Sequence, residues 1–363
     1  MPRTPLRIGI TGADGFLGWH LRAFLHGEGG LIVIPATRAT FQDPDALMRF
    51  ASSVDAIAHL AGMNRGSDDD IRQVNRGLAE ALVRACDRTG VAPHIVFANS
   101  THHTRAGAYG ESKRAAAEHL AGWAQRTGAG LTNLILPHLF GEHGRPFYNS
   151  AVATFCHQLA GGETPRIPED GEVELFHAQA TASEITRSIR ERATADIRPH
   201  GRKMRISAAL ARLTELLSQY RGSRLPSITD DFDHDLFNTA RAYLFPAHYP
   251  LEPAERETAL RETVATAQDG HCLTITTVPG ATFGNRYHRR TFSRVLVLRG
   301  KALVRVRRLL KDEVHEFVVS GDTPALIDMP TLHAHNIANV GHGDLEMLLW
   351  TRGPESDTYE EQV

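Results

Sequence analysis

Through its first hundred residues the chain alternates short apolar runs with stretches in which apolar positions recur every three to four residues. LRIGITG, LIVIPA, VDAIAHLAG and HIVFANS read as strands, with helices at GWHLRAFLHGEG and from Val74 to Thr89. That alternation predicts a doubly wound parallel sheet with helices on both faces. A helix from YGESK and a strand from Leu131 to Pro137 continue the series. Between Phe147 and Tyr243 the pattern is helical, most clearly over Ala208 to Arg221. At AYLFPAHYPLEP prolines crowd together and the pattern changes to short β-rich runs: CLTITTV, RVLVLRG, ALVRVRRL, VHEFVVSG, PALIDMP and LEMLLWTR. Closely spaced runs divided by turn residues predict a small antiparallel barrel or sandwich. Two domains are therefore expected, residues 1–245 and 254–363, with the boundary between Phe245 and Pro253.

Composition narrows the function class. A chain of 363 residues suits two domains, each with its own core. A net charge of −2 argues against a partner held by bulk electrostatics, so neither nucleic acid nor an anionic membrane surface is expected. No stretch reaches the ~18 apolar residues of a membrane span, and the first residues lack a secretory pattern, so a cytoplasmic protein is expected. Cys86, Cys156 and Cys272 are isolated and odd in number, which predicts core packing rather than disulfides or a thiolate metal site.

Candidate chemistry begins at TGADGFLG. Gly12, Gly15 and Gly18 follow the first strand and open the first helix, where missing Cβ atoms let backbone amides approach a pyrophosphate. The second strand ends without the acidic residue that would hold a ribose 2′-hydroxyl. Arg38 stands there instead, which favours the 2′-phosphate of NADPH over NADH. In YGESK, Tyr109 and Lys113 share one helix face. A nearby ammonium is expected to lower the phenol's pKa, bringing Tyr109 into range to protonate a ketone oxygen receiving hydride. Ser100, closing HIVFANS, is placed to hydrogen-bond the same oxygen.

These residues resemble the extended short-chain dehydrogenase/reductases that modify nucleotide sugars, Rossmann-type enzymes. The resemblance implies a catalytic triad of Ser100, Tyr109 and Lys113. It implies cofactor contacts at Phe16 and Leu17 in the glycine turn, at Leu60, Ala61 and Gly62 of HLAG, and at Pro137 and His138 beside the nicotinamide. It also implies that Asn75 faces the substrate.

The C-terminal third resembles the cupin barrels, whose motifs G(x5)HxH(x4)E(x6)G and PxGxxH(x3)N bring three histidines and a glutamate to a metal. Here Gly280, Arg286, His288, Ser293 and Gly300 occupy the first set of positions, and Pro330, Leu332, His335 and Asn339 the second. Arg286 replaces a histidine and Ser293 the glutamate. A guanidinium about 4 Å from a divalent cation is repelled by roughly 8 kcal/mol at an effective dielectric near 20. No bound metal is therefore expected, unless His333, two residues from His335 and on the same face of a strand, completes a site. Otherwise the histidines are cavity residues, or they and Arg286 meet substrate, with Arg286 holding an anionic group.

The domain order, with HLAGMNR, YGESKRAAAE, RPFYNSAVATFCHQLA and DTYEEQV, resembles the bifunctional nucleotide-sugar enzymes of bacterial capsule and O-antigen synthesis that form UDP-2-acetamido-2,6-dideoxy-L-talose. In that family the cupin epimerises carbon 3 of a 4-keto sugar and the reductase domain reduces carbon 4 with NADPH. The resemblance adds Arg145 and Asn149 as substrate contacts and a homodimer or larger homo-oligomer. AERETAL, residues 254–260, departs from the family's DxRGxF. The expected activity is NADPH-dependent reduction of a UDP- or dTDP-linked 4-keto-6-deoxy sugar, with a barrel that is not a zinc epimerase. The alternatives are an epimerase/reductase with an altered barrel site, and a non-catalytic sugar-nucleotide binding module.

Overall fold

The computed structural model describes residues 5–221, 226–228, 230–250, 271–353 and 357–363. The chain runs β1 (Leu6–Thr11), α1 (Phe16–His26), β2 (Leu31–Ala36), α2 (Arg38–Gln42), α3 (Pro44–Ser52), β3 (Ala56–His59), α4 (Asp68–Thr89), β4 (His94–Ser100), α5 (Ala108–Thr127) and β5 (Leu131–Leu136). It continues through β6 (His138–Phe140), α6 (Ala151–Ala160), β7 (Glu172–His177), α7 (Ala178–Glu191), β8 (Ala195–Ile197), β9 (Arg202–Arg205), α8 (Ile206–Arg221) and α9 (Asp231–Leu244). Among the described residues after Pro250 the regular elements are all strands: β10 (His271–Thr277), β11 (Thr282–His288), β12 (Phe292–Arg299), β13 (Lys301–Arg308), β14 (Val314–Ser320), β15 (Leu326–Met329), β16 (His333–Asn339), β17 (Leu345–Arg352) and β18 (Thr358–Glu360).

Two compact units result, residues 1–139 with 174–203, and 140–173 with 204–363. In this division residues 140–173 and 204–250 group with the C-terminal strands, although the sequence pattern joins them to the first domain. Residues 251–253 of the expected boundary, and AERETAL, lie outside the described residues.

The first unit holds a six-stranded sheet in the order β2-β1-β3-β4-β5-β8, parallel at every pairing. Its strands are apolar on both faces because both are covered. Ile57, Ile95 and Phe97 pack beneath Leu47, Phe50, Leu82 and Trp123 from α3, α4 and α5. Ile8, Ile10, Val96 and Leu134 pack on the other face, with Leu21 of α1 and Ile185 of α7. Local signals set the helix ends: Ser67 caps α4 by accepting from the Asp70 amide at 3.1 Å, three aspartates fill its first turn, and Gly90 closes it at φ 66°. After β2 the chain crosses β1 to form β3, so the order reverses between β1 and β3, where the mouth of such a sheet binds ligands.

The second unit is built on two antiparallel sheets, β10-β17-β12-β15 and β14-β13-β16-β11-β18. Val295, Val297, Val304, Val306, Ile327, Ile337 and Met347 fill the core between them. The outer side of β12 and β15 is covered by α8 and α9 through a buried polar cluster. Arg294 pairs with Asp328, at 2% and 0% side-chain exposure, and the guanidinium Nη2 donates to Oδ2 at 2.8 Å. The Tyr220 hydroxyl donates to the same carboxylate and is within 2.9 Å of the Tyr249 hydroxyl. This architecture is the Rossmann-type sheet followed by a cupin-like barrel that the sequence predicts. Cys86 and Cys156 are buried, whereas Cys272 is exposed on an edge strand and does not pack in a core as predicted. Among the described residues no helix is long and apolar enough to cross a membrane.

Candidate functional site

The turn after β1 is shaped by close backbone approach. Gly12 has φ +68°, and a Cβ there would lie 2.8 Å from the Ala61 nitrogen, in the turn that follows β3. A Cβ on Gly18 would meet the Gly12 carbonyl oxygen at 2.1 Å. The glycines thus seat α1 against the turn, and no side chain caps the helix at Gly15. A free helix start above a cleared backbone is the chemistry a pyrophosphate needs, so these residues fit a dinucleotide. Gly18→Ala should weaken NADPH binding at least tenfold and cost about 1–3 kcal/mol of stability. Gly77→Ala, where a new Cβ meets nothing within 4 Å, should leave both intact; fluorescence titration and melting of the two variants check this.

Thr11 joins the two turns. Its Oγ1 accepts from the Leu60 amide at 3.1 Å and the Ala61 amide at 3.2 Å, so its one proton goes to Nδ1 of His59 at 2.8 Å. Burial, aided by Lys113, lowers the His59 pKa to about 3, and the ring is therefore neutral. Thr11 opens TGADGFLG and His59 opens HLAG, but the roles of their side chains depend on the two turns meeting in space. Because the folded pKa is depressed, the unfolded chain takes up the proton first as pH falls below about 6.5, and stability is lost from there toward pH 3. Urea midpoints of the first unit should therefore drop between pH 7 and pH 5. His59→Gln keeps an acceptor that does not titrate and should flatten that drop; an unchanged slope would place the acid sensitivity elsewhere.

Ser100 ends β4, and Tyr109 and Lys113 lie on the first turns of α5. Ser100 lies near enough to the Tyr109 phenol to lower its pKa slightly, and its Oγ accepts from the His102 amide at 3.2 Å. The three predicted residues are thus brought together, with one correction. Lys113 is buried, its Nζ donates to the Ala98 carbonyl at 2.7 Å, and burial lowers its pKa to about 8. It does not activate the phenol: burial raises the Tyr109 pKa and the Ser100 contact only partly offsets this. Tyr109 is therefore a fully protonated acid at neutral pH.

Asn75 also departs from its expected role. Its Oδ1 accepts from the Met63 amide at 2.6 Å, and Nδ2 donates to the Met63 carbonyl at 2.8 Å and to Ser112 Oγ at 2.9 Å. The amide is spent bracing the segment after Gly62 against α5 and has no donor left for a substrate. Phe16 and Leu17 open α1, and Arg38 is exposed at the start of α2, just past the end of β2. Pro137 is buried after β5, and burial lowers the pKa of the neighbouring His138. Arg145 and Asn149 belong to the second unit, where the Arg145 guanidinium lies 5.1 Å from the Tyr148 ring centre.

In the barrel the cupin spacing holds. Arg286, His288, Ser293 and His335 all line one cavity of about 330 Å³. Arg286 and His335 are register partners on β11 and β16, and the His288 and His335 rings are 5.5 Å apart. His333 does not complete a set: it is absent from the cavity wall, its Nδ1 donates to the Thr331 carbonyl at 2.8 Å, and its ring packs on Phe245 and His143. Among the described residues no three His, Cys, Asp or Glu side chains gather to hold a metal ion. Two histidines beside a guanidinium do not fit the family's zinc.

Residues 8–195 match the NAD dependent epimerase/dehydratase family, and residues 254–359 match the polysaccharide biosynthesis C-terminal domain. A Pseudomonas aeruginosa protein, UDP-2-acetamido-2,6-beta-L-arabino-hexul-4-ose reductase, is 30% identical over 359 residues, 95% of this chain and 94% of that one. The crystal structure of the capsular polysaccharide assembling protein CapF from Staphylococcus aureus superposes with a TM-score of 0.62 at 28% identity, covering 98% of this chain and all of that one. RMD from Pseudomonas aeruginosa, solved with NADPH, covers 67% of this chain and 99% of its own at 17% identity and a TM-score of 0.56, a likeness of fold.

Proposed function

The chain belongs to the NAD dependent epimerase/dehydratase family, and from that premise we propose that it reduces the 4-keto group of a UDP-linked 2-acetamido-6-deoxy hexose with NADPH. The observation that carries the reading is the meeting of Ser100, a protonated Tyr109 and Lys113 at the mouth of the sheet, beside the cleared glycine turn. The nucleotide and the 4-ulose are taken from the name of the Pseudomonas relative.

Bound NADPH would supply a hydride to the carbonyl carbon. The residues of the chain handle the oxygen. As the C=O bond becomes an alkoxide, the phenolic proton of Tyr109 passes to that oxygen, so charge never accumulates on it. The Ser100 hydroxyl, beside the phenol at the end of β4, would share a hydrogen bond with the same oxygen and fix its direction. Lys113 on α5 is tied to β4 through the Ala98 carbonyl, which holds the helix turn carrying Tyr109 against the strand that ends in Ser100. Thr11 and Asn75 keep the turns after β1 and β3 in register, which fixes the floor on which the cofactor lies. Arg38, with no acidic residue at the end of β2, supports NADPH over NADH.

One incubation in D2O tests the reading: full chain, NADPH or NADH, and the UDP-linked 4-keto-2-acetamido-6-deoxy hexose. The expected result is oxidation of NADPH, at least tenfold faster than of NADH, giving a 4-hydroxyl product without deuterium at carbon 3. No cofactor oxidation would overturn the reductase reading, and deuterium at carbon 3 would show that the barrel epimerises despite Arg286 and Ser293.

A further inference from the structure

We propose that the barrel cavity is a carboxylate site, taking a small hydroxylated acid of monosaccharide size through a paired hydrogen bond to Arg286. Neither the reductase reading nor the family's metal requires it, and its argument begins with charge. The cavity wall contains no aspartate or glutamate among the described residues, and its only fixed charge is Arg286. Elsewhere in the barrel unit Arg294 pairs with Asp328, Arg290 with Asp235, Arg305 with Glu316 and Arg307 with Glu361, while the buried Arg241 donates to the Met329 carbonyl and to Asn238 Oδ1. Arg286 makes no ion pair or hydrogen bond through its side chain to any described residue. Glu360, its register partner on β18, is exposed and makes no ion pair with it.

What does hold Arg286 is the Phe283 ring, 4.6 Å from the guanidinium carbon. An aromatic contact of this kind stabilises the cation and leaves its N–H groups open, which suits a planar carboxylate. One guanidinium balances one negative charge. A doubly charged phosphate would leave net charge against the apolar wall formed by Val295, Met329 and Ile337.

The remaining polar groups suit hydroxyls. His335 donates Nδ1–H to the His333 carbonyl at 3.3 Å, so in the neutral ring Nε2 is an acceptor. His288 Nδ1 is engaged by Thr358 Oγ1 at 3.2 Å, and burial keeps both rings neutral at pH 7. Ser293, in the position of the family's glutamate, offers a hydroxyl to the same space. At about 330 Å³ the cavity sits at the small end of ligand pockets, consistent with a single sugar-sized body. The two changed positions thus act together: a guanidinium stands at one of the family's histidine positions, and the glutamate that would have neutralised it is gone.

Calorimetric titration of the full chain with D-glucuronate, D-glucose and inorganic phosphate tests this. Glucuronate should bind one per chain and at least tenfold more tightly than glucose or phosphate. Arg286→Gln should lower glucuronate affinity at least tenfold, and Arg286→Lys should not restore it, while NADPH binding stays unchanged in both. Ser293→Glu supplies an internal carboxylate and should abolish binding even if the arginine variants fold poorly. The proposal is overturned if glucuronate does not bind or binds no better than glucose, if phosphate binds more tightly, or if Arg286→Gln binds glucuronate as the parent does. Stoichiometric zinc binding that is lost in His335→Gln would overturn it equally. Because the readout is binding in the barrel, failure here leaves the reductase reading untouched, and loss of NADPH oxidation leaves this one untouched.

Discussion

Tyr109→Phe loses between about a hundredfold and ten-thousandfold in kcat for ketone reduction, the range that a positioned general acid contributes. The substitution removes one oxygen from a ring in which burial already keeps the proton in place at neutral pH. Cofactor affinity should change less than twofold, because the glycine turn and the Thr11 bonds do not involve the phenol. The kcat-against-Kd split is the informative reading. A structural role would disturb binding and melting together, whereas an acid role leaves both and removes turnover. Steady-state kinetics with NADPH fluorescence titration measure the two, and a loss in kcat below tenfold would mean that another group, or water, protonates the oxygen. Lys113→Met should be the more disruptive change for folding, since it leaves the Ala98 carbonyl without the donor that now reaches it.

Asp328→Ala destabilises the second unit by about 3–5 kcal/mol, because it strands the Arg294 guanidinium in a place water does not reach. The same carboxylate accepts from Tyr220, whose pKa burial raises well above that of a free phenol, so the deletion also removes a hydrogen bond from a buried hydroxyl. The pair is not itself a large source of stability, and Arg294→Met with Asp328→Leu should recover at least half of the loss. Tyr220 would still have the Tyr249 hydroxyl at 2.9 Å. Urea unfolding followed at Trp350, whose ring is 5.1 Å from Phe292, reports on this unit. A loss under about 1 kcal/mol for Asp328→Ala would show that the pair is hydrated in solution. The cluster joins α8 and α9 to the sheet, so the same variant should loosen residues 206–244 in hydrogen exchange.

Much of the site was legible before any coordinates, because short-range rules produce it. Glycine spacing and the strand before it place Gly12, Gly15 and Gly18. One helical turn places Lys113 beside Tyr109, and the end of an apolar strand places Ser100. The barrel motif was readable as spacing even though its chemistry had changed, and Arg286, His288, Ser293 and His335 do meet at one cavity. The strands that carry most of them were not readable. β11, TFGNRYH, and β16, HAHNIAN, have polar residues on the face that a strand normally turns to its core, so the apolar alternation that revealed β12, β13 and β17 is missing. β8 is only three residues long and is held by its pairing with β5.

By itself the sequence determined the parallel sheet, the barrel, the dinucleotide turn and the identity of the changed barrel residues, because periodicity, turn chemistry and motif spacing are local properties of the chain. Only the tertiary structure decided how those groups behave. Asn75 has spent its amide on Met63 and Ser112, Lys113 has turned to Ala98 instead of lowering the pKa of Tyr109, and His333 has left the cavity to its neighbours. It also decided that α8 and α9 belong to the barrel unit, through the bonds of Tyr220 to Asp328 and of Arg241 to the Met329 carbonyl, partners far from those helices in sequence. Burial and hydrogen-bond partners set protonation and availability, and both depend on what long-range packing brings to each side chain.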